Sequence, residues 1–114
     1  MRKAHAQLVL EARAVGPALF RFKSDLSRVI LLNLVCLGGA SELRILLRKL
    51  DATAVAARQH IQFLEIEGYL NVQTHETNRR CKIVCVTDKA WQLMSAYEAE
   101  LATLARRWCN IERE

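Results

Sequence analysis

The stretch FLEIEGYLNVQTHETNRRCKIVCVTDKAW, Phe63 to Trp91, constrains the fold more than any other part of the chain. A run of helical character stops at Gly68. Two short runs of strand-forming residues, YLNVQTH and KIVCVT, then flank a polar turn around Glu76 to Arg80. This pattern predicts a helix, a β-hairpin and a second helix in close succession. Any fold assigned to the chain must therefore carry a hairpin with a charged tip.

Two helices are predicted in the first third of the chain. The first runs from about Lys3 to Val15 and is expected to stop at Gly16-Pro17, since this pair usually interrupts a helix. The second begins at Ser24 or Asp25, either of which can cap it, and ends before Gly38-Gly39. Both helices precede the helix pair and the hairpin that carry most of the charged side chains considered below.

A pair of helices joined by a tight turn comes next. SELRILLRKL has leucines at helical spacing, with Ser41 as a candidate cap. After a break at residues 51–53, AVAARQHIQFLEIEG forms a second helix that Thr53 can cap and Gly68 can end in a left-handed conformation. Two helices so close together are typical of a helix-turn-helix.

The last segment, from Asp88 to the end of the chain, returns to a helical period. Its apolar residues are spaced three and four apart, which is a heptad seam on one helix. An apolar stripe on so long a helix needs a partner, so we expect a homodimer whose interface contains Leu8, Met94, Tyr97, Leu101, Leu104, Trp108 and Ile111.

Length, apolar content and net charge limit the classes of protein to which the chain can belong. The 114 residues, 52% of them apolar, fit one small core, and a net charge of +5 favours an anionic partner. The longest apolar run, from Val29, is shorter than the roughly 20 residues that span a bilayer, so no membrane is expected and a cytoplasmic location is predicted. No catalytic motif or cofactor-binding motif is present, so the chain is not expected to be an enzyme. His5 and His60 are expected at the surface and at the edge of the core.

The four cysteines include no C-x-x-C pair. Cys36 lies in an apolar run and is expected in the core. His75, Cys81 and Cys85 match no standard metal site, so no metal is predicted. A thiol switch remains an alternative, through Cys109 paired across a dimer or through an oxidised cysteine of the hairpin.

The order of these elements resembles the winged-helix DNA-binding proteins, and within them the MarR family, over about Leu26 to Leu104. FLEIEGYL is similar to that family's end of the recognition helix, TNRRCKIVCVT to its arginine-bearing wing, and VTDKAWQLM to its strand-to-helix step. The resemblance implies a mainly α fold with a small β-hairpin (α+β). Residues 1–23 would form an N-terminal helix and connector, 24–87 the winged helix-turn-helix domain, and 88–114 a C-terminal dimerisation helix.

The resemblance implies a sequence-specific, double-stranded DNA-binding transcriptional regulator that acts as a homodimer. Its recognition helix, about 53–67, would enter the major groove, and its wing, about 70–87, would lie on the backbone or in the minor groove. At 100° per residue, the inward side carries Ala54, Ala57, Ile61 and Leu64. The expected DNA-binding residues are Thr53, Val55, Ala56, Arg58, Gln59, Gln62, Arg79, Arg80 and Lys82.

Side-chain chemistry suggests separate tasks within that set. Gln59 and Gln62 suit adenine edges, Val55 suits a thymine methyl, and Arg58 suits a guanine or a phosphate. Arg79 and Arg80 at the wing tip suit phosphates or a minor groove, although charged hairpin tips also serve solubility. The sequence identifies no particular small-molecule effector.

Phe63 and Ile66 depart from the family pattern, because these positions are often charged. We expect cover from within the chain, by the N-terminal helix, and the alternatives are cover by a second subunit or an apolar docking patch. That patch supports a second hypothesis, in which the chain is a winged-helix protein–protein interaction module, an adaptor or antirepressor, that does not bind DNA.

Overall fold

The structure, a computed structural model, describes residues 1–20 and 25–113. Within them the predicted mainly α architecture with a β-hairpin is confirmed. The elements are α1 (Lys3–Phe20), α2 (Asp25–Cys36), β1 (Ala40–Glu42), α3 (Leu43–Lys49), α4 (Ala54–Ile66), β2 (Leu70–Thr74), β3 (Lys82–Val86) and α5 (Asp88–Glu112). The chain divides into two compact units, Ser24–Trp91 and Met1–Lys23 with Gln92–Glu114. Ser24, a predicted cap, lies outside the described residues.

The unit Ser24–Trp91 is built around the apolar faces of three helices and the sheet. Helices α2 and α4 contribute buried residues three or four apart, which is the spacing that places side chains on one helical face, and α3 contributes Leu46. The largest of the side chains that are less than 2% exposed are those of Ile30, Leu31, Leu34, Leu46, Leu64, Val84 and Ser27. The Ser27 hydroxyl lies 3.1 Å from Nδ1 of the half-buried His60, which joins α2 to α4 at the edge of this core.

Three antiparallel strands form the sheet, in the order β1-β3-β2. Val84 of β3 is paired with Val72 of β2 on one side and with Ser41 of β1 on the other. The prediction that Ser41 caps the next helix is wrong, because Ser41 lies within β1. The helix begins at Leu43, and Glu42 at its N-cap position makes no side-chain capping bond.

Two glycines turn the chain from α2 into β1. Gly38 and Gly39 have φ angles of 89° and 95°, a left-handed backbone that side chains with a Cβ rarely adopt. Gly39 is also buried, and a Cβ placed there would lie 2.8 Å from Cζ2 of Trp91. The turn therefore requires glycine at this position for two reasons, conformation and space.

Two expectations about α1 and α2 are wrong. The first helix does not stop at Gly16-Pro17: α1 continues to Phe20 with Pro17 inside it. Cys36 is exposed rather than in the core. Nearly every residue of α2 near Cys36 is apolar, and a helix can direct only one side inward, so the apolar run is longer than the face that the core covers.

The second unit pairs α1 with the part of α5 that follows Gln92. Arg107 Nη1 lies 2.6 Å from Glu11 Oε2, and Arg2 donates to the Ile111 carbonyl oxygen at 2.8 Å. His5 is 5% exposed, and its ring stacks on Trp108 with the centroids 4.0 Å apart. The expectation that His5 lies at the surface is wrong, because the indole covers the imidazole.

No helix in the described part of the chain combines the length and the apolar character that a bilayer crossing requires.

Candidate nucleic-acid interface

Helix α4 has well-defined ends. The Thr53 hydroxyl accepts a hydrogen bond from the Ala56 amide at 3.1 Å, so the predicted N-cap is confirmed. At the other end Gly68 has a φ of 84°, the left-handed conformation expected of a glycine that ends a helix. The predicted span of 53–67 therefore agrees with the helix to within one residue at each end.

The inward side of α4 is formed by Ala57, Ile61 and Leu64, which are buried as predicted. Ala54 was expected with them but is exposed, because it is the first residue of the helix. Outside, Val55, Gln59 and Gln62 are all exposed, as their helical spacing predicts. The side of α4 that faces solvent is therefore the side on which the base-reading residues were expected.

Hydrogen bonds order the turn between β2 and β3. Nδ1 of His75 accepts from the Thr77 and Asn78 amides, each at 3.3 Å, and the Asn78 side chain accepts from the Arg80 amide at 3.2 Å. The imidazole thus supports the hairpin tip. Arg79 and Arg80 are exposed on it.

A cleft of about 880 Å³ lies between α3, α4 and the hairpin. Five of its lining side chains are cations, two are carboxylates, and the difference leaves it with a positive charge. The cations come from all three walls: Arg44 and Arg48 from α3, Arg58 from α4, and Arg80 and Lys82 from the hairpin. We call this the cationic cleft.

Arg44 and Arg48 line the cleft, although they are not among the DNA-binding residues expected from the sequence. Their spacing of four residues places them on one face of α3, which is the only signal that could have singled them out. Arg58 was expected to meet a guanine or a phosphate, and it lies on the flank of α4 that lines the cleft. Gln62 lines the cleft too, so it belongs to both surfaces.

The two carboxylates of the cleft have local partners. Glu65 Oε2 accepts from the Val72 amide at 3.2 Å, which links α4 to β2. Glu42 Oε2 lies 3.4 Å from Arg44 Nη2. Neither acid neutralises a cation of the hairpin wall.

Cys81 lines the same cleft and is half-buried. Desolvation, followed by the charge and hydrogen bond of the neighbouring Glu42, raises the pKa of the Cys81 thiol, and Arg44 opposes this. Over residues 1–20 and 25–113, no cluster of three His, Cys, Asp or Glu side chains could hold a metal ion.

The end of α4 is tied to the start of α5. The Thr87 hydroxyl donates to the Gly68 carbonyl oxygen at 2.6 Å, and Lys89 Nζ donates to the Glu67 carbonyl oxygen at 2.7 Å. The same ammonium lies 4.5 Å from the centre of the Tyr69 ring. These bonds join the turn that follows α4 to the first residues of α5.

Phe63 and Ile66 are 42% and 73% exposed. The expectation that other parts of the chain cover them is wrong for Ile66, since its side chain meets mostly solvent. Both residues lie on α4, toward the end that Gly68 terminates.

The residues expected at a dimer interface differ in exposure. Leu8 and Met94 are 4% and 8% exposed, so they have little surface left for a partner. Tyr97 and Ile111 are half-buried. An apolar groove of about 300 Å³ in this unit is lined by Leu8, Val9, Ala12, Leu101, Leu104, Ala105 and Trp108.

No protein-family model matches this sequence, and no curated protein matches it closely enough to count. Solved structures do match its fold. A variant of MepR from S. aureus, bound to an oligodeoxyribonucleotide, is 13% identical, with a TM-score of 0.79 over 93% of this chain and 76% of its own. AbsC from Streptomyces coelicolor, a MarR family transcriptional regulator, is 16% identical, with a TM-score of 0.69 over 92% of this chain and 70% of its own.

The organohalide-sensing transcriptional regulator RdhR, with 2,4-dichlorophenol bound, is 18% identical and has a TM-score of 0.70. The match covers 92% of this chain but only 63% of RdhR, so this chain spans less than two thirds of that regulator's length. The order of the helices, the three-stranded sheet and the hairpin after α4 are the features of a winged helix. The chain therefore has the winged-helix fold of the MarR-family transcriptional regulators.

Proposed function

We propose that the chain is a transcriptional regulator that binds double-stranded DNA as a homodimer. Helix α4 occupies the major groove, and the hairpin, as the wing, lies on the backbone or in the minor groove. It acts by binding and not by catalysis. The observation that carries this proposal is the cationic cleft, which lies between the two elements that would enter the two grooves.

The geometry of a duplex explains why the cleft matters. One sugar-phosphate strand separates a major groove from the neighbouring minor groove. If α4 enters the first and the wing reaches the second, that strand must cross the space between them. The cleft presents Arg44, Arg48, Arg58, Arg80 and Lys82 to it. Cations that neutralise phosphates release counterions, and this release supplies nearly all of the affinity for DNA of random sequence.

Base reading falls to the outward side of α4. Gln59 and Gln62 are exposed there and can each form two hydrogen bonds with an adenine, and Val55 can meet a thymine methyl. Arg58 serves the phosphates, since it lines the cleft together with Arg44 and Arg48. Thr53 caps α4 and Ala56 lies in its first turn, at the end of a helix that favours a phosphate. Arg79 and Arg80 extend the contact from the wing tip.

The unit formed by α1 and α5 supports the homodimer. Its apolar groove is open to solvent, and Val9 and Leu10 of α1 are 47% and 64% exposed. A second copy that covers these residues removes apolar surface from water, which stabilises an association. The half-buried seam residues Leu101, Leu104 and Trp108 border the same groove.

A second candidate is a protein–protein interaction module that does not bind DNA. The exposed side chains of Phe63 and Ile66 favour it, since exposed apolar residues on one helix end can form a docking patch. The two candidates differ in whether the chain has salt-sensitive affinity for duplex DNA of random sequence.

The test is a titration of a labelled random-sequence duplex, followed by fluorescence anisotropy at several salt concentrations. We expect binding at low salt. The logarithm of the affinity should fall linearly with the logarithm of salt concentration, by about 0.9 for each phosphate neutralised. Replacing Arg44 and Arg48 together with Ala should make that slope shallower by about 1.8 in each subunit. Gln59→Ala should leave binding to this duplex nearly unchanged.

The matched control is Arg106→Ala, which removes an exposed arginine of α5 outside the cleft. It should keep the wild-type slope. A wild-type protein that does not bind at low salt would favour the interaction module. An unchanged slope in the Arg44, Arg48 double variant would remove α3 from the interface.

A further inference from the structure

The outward side of α4 carries exposed apolar side chains, and the phosphate contacts proposed for the cationic cleft do not account for them. Val55, Gln59, Gln62 and Ile66 are spaced four, three and four residues apart, which places them on one stripe. That stripe lies opposite the buried Ala57, Ile61 and Leu64. We call it the outward stripe. It has two glutamines in the middle and one β-branched apolar side chain at each end.

The apolar ends of the stripe play no part in the core. Val55 is 67% exposed and Ile66 is 73% exposed, whereas the inward residues of α4 are at most 5% exposed. The helix thus packs against the core through its inward side alone. Two large apolar side chains this exposed leave surface that a ligand with apolar features can cover.

The edges of A·T pairs supply a matching surface. In the major groove an A·T pair presents the N6 and N7 atoms of adenine, which a glutamine side chain can contact together, beside the C5 methyl of thymine. A G·C pair has no methyl group, and it is best read by an arginine or lysine. Within the described part of α4 the arginine is Arg58, which lies on the cleft flank and not on the stripe.

We infer that α4 reads A·T pairs through thymine methyl groups as well as adenine edges, with Ile66 as an apolar contact at one end of the stripe and Val55 at the other. This inference rests on the proposed function and specifies the sequence that the site prefers.

The dimensions of the helix fit such a site. Val55 and Ile66 are eleven residues apart, which is about 16 Å along a helix at 1.5 Å per residue. Successive base pairs are 3.4 Å apart, so the stripe spans about five base pairs of one half-site. Each end of the stripe then meets a different thymine.

The surroundings of the stripe favour DNA over a protein as its occupant. Gln62 lies on the stripe and also lines the cationic cleft, so the two surfaces are continuous. A polyanion that filled the cleft would bring its base edges to the stripe. A protein partner would have to place acidic groups beside Gln62 and an apolar surface on Ile66.

The experiment begins with duplexes of randomised core sequence, from which the wild-type protein selects the tightest binders. We expect A·T pairs at the positions that face α4. The selected duplex is then made again with deoxyuridine in place of single thymidines, which deletes one methyl group and leaves the hydrogen-bonding edge unchanged. Loss of a buried group of this size should weaken binding about fourfold per half-site.

Variants assign the methyl groups to side chains. Ile66→Ala should remove the sensitivity to deoxyuridine at one position, and Val55→Ala at another, several base pairs away. Ile45→Ala is the matched control, because Ile45 is 38% exposed on α3 and does not line the cleft. That variant should discriminate thymidine from deoxyuridine as well as the wild type does.

Equal affinity of the wild type for thymidine and deoxyuridine duplexes, or selection of G·C pairs opposite α4, would overturn the inference and leave DNA binding intact. An Ile66→Ala protein that keeps full methyl sensitivity but changes its mass in light scattering would assign the residue to a protein contact. Failure of the wild type to bind any duplex at low salt would remove the proposed function and this inference with it.

Discussion

At the scale of single residues, the two carboxylates of the cationic cleft have structural roles, although they lie beside the proposed path of the phosphates. Glu65 accepts a hydrogen bond from the Val72 amide, so its charge serves to hold β2 against α4. A hydrogen bond to a charged group is stronger than one between neutral groups. Glu65 therefore helps to hold the hairpin against α4.

Glu42 has a different effect, which chemical modification can measure. Burial and this carboxylate raise the pKa of the Cys81 thiol. A raised pKa lowers the fraction of thiolate at a given pH, and the thiolate is the species that reacts. We expect iodoacetamide to alkylate Cys81 slowly at neutral pH, and Glu42→Gln to speed the reaction because one cause of the shift is removed.

The rate is measured by mass spectrometry of the peptide that contains Cys81. Exposed Cys109 on α5 serves as the internal control, and its rate should be the same in both proteins. If Glu42→Gln left the Cys81 rate unchanged, or slowed it, the account of this thiol would be wrong. A slow thiol at the cleft also makes a redox switch at Cys81 less favourable.

At the scale of elements, the turn from α2 into β1 offers a matched pair of substitutions. Gly38 and Gly39 both have positive φ angles, and forcing a left-handed conformation on alanine costs about 1–2 kcal/mol at either position. A Cβ at Gly38 would meet nothing within 4 Å, whereas at Gly39 it would meet the Trp91 ring at 2.8 Å. Gly39→Ala should therefore reduce the free energy of unfolding by a further 1–3 kcal/mol or so.

Urea denaturation of the two variants compares these losses directly. Because the backbone penalty is common to both, the difference between them reports the contact with Trp91 alone. Equal losses at the two positions would mean that the indole moves aside without cost.

The elements that the sequence predicted well are those with a local signal. The bounds of α4 follow from Thr53, which caps it, and from Gly68, which ends it, and both act within a few residues. Strand β1 has only three residues, too few for an alternating pattern, and its pairing with β3 joins residues about forty positions apart. Local pattern therefore predicts Ser41 as a helix cap, although Ser41 lies in the sheet.

The same distinction applies to the site. Gln59 and Gln62 were expected on the outward side because helical spacing determines sides. Arg44 and Arg48 gain their importance only when the hairpin lies opposite α3, which no local pattern predicts. His5 is buried by Trp108, which is more than one hundred residues away in the chain, and its polarity alone suggested the surface. Long-range packing is the information that was missing.

At the scale of the whole molecule, α5 is the element that both compact units share. Its first residues lie in the unit Ser24–Trp91, where Lys89 holds the end of α4, and the rest pairs with α1. Under the proposed function this second unit joins two copies, so that two recognition helices face successive half-sites of one duplex. Homodimers of this kind bind sites with matching two-fold symmetry.

Under the proposed function, two copies of this chain bind one duplex. The most direct test is the mass of the complex with a duplex selected from the randomised pool, measured by light scattering during size-exclusion chromatography at low salt. We predict a single species whose mass equals two chains and one duplex, and which dissociates as salt is raised. A duplex that elutes free of protein at low salt, or a complex that contains one chain per duplex, would contradict the account.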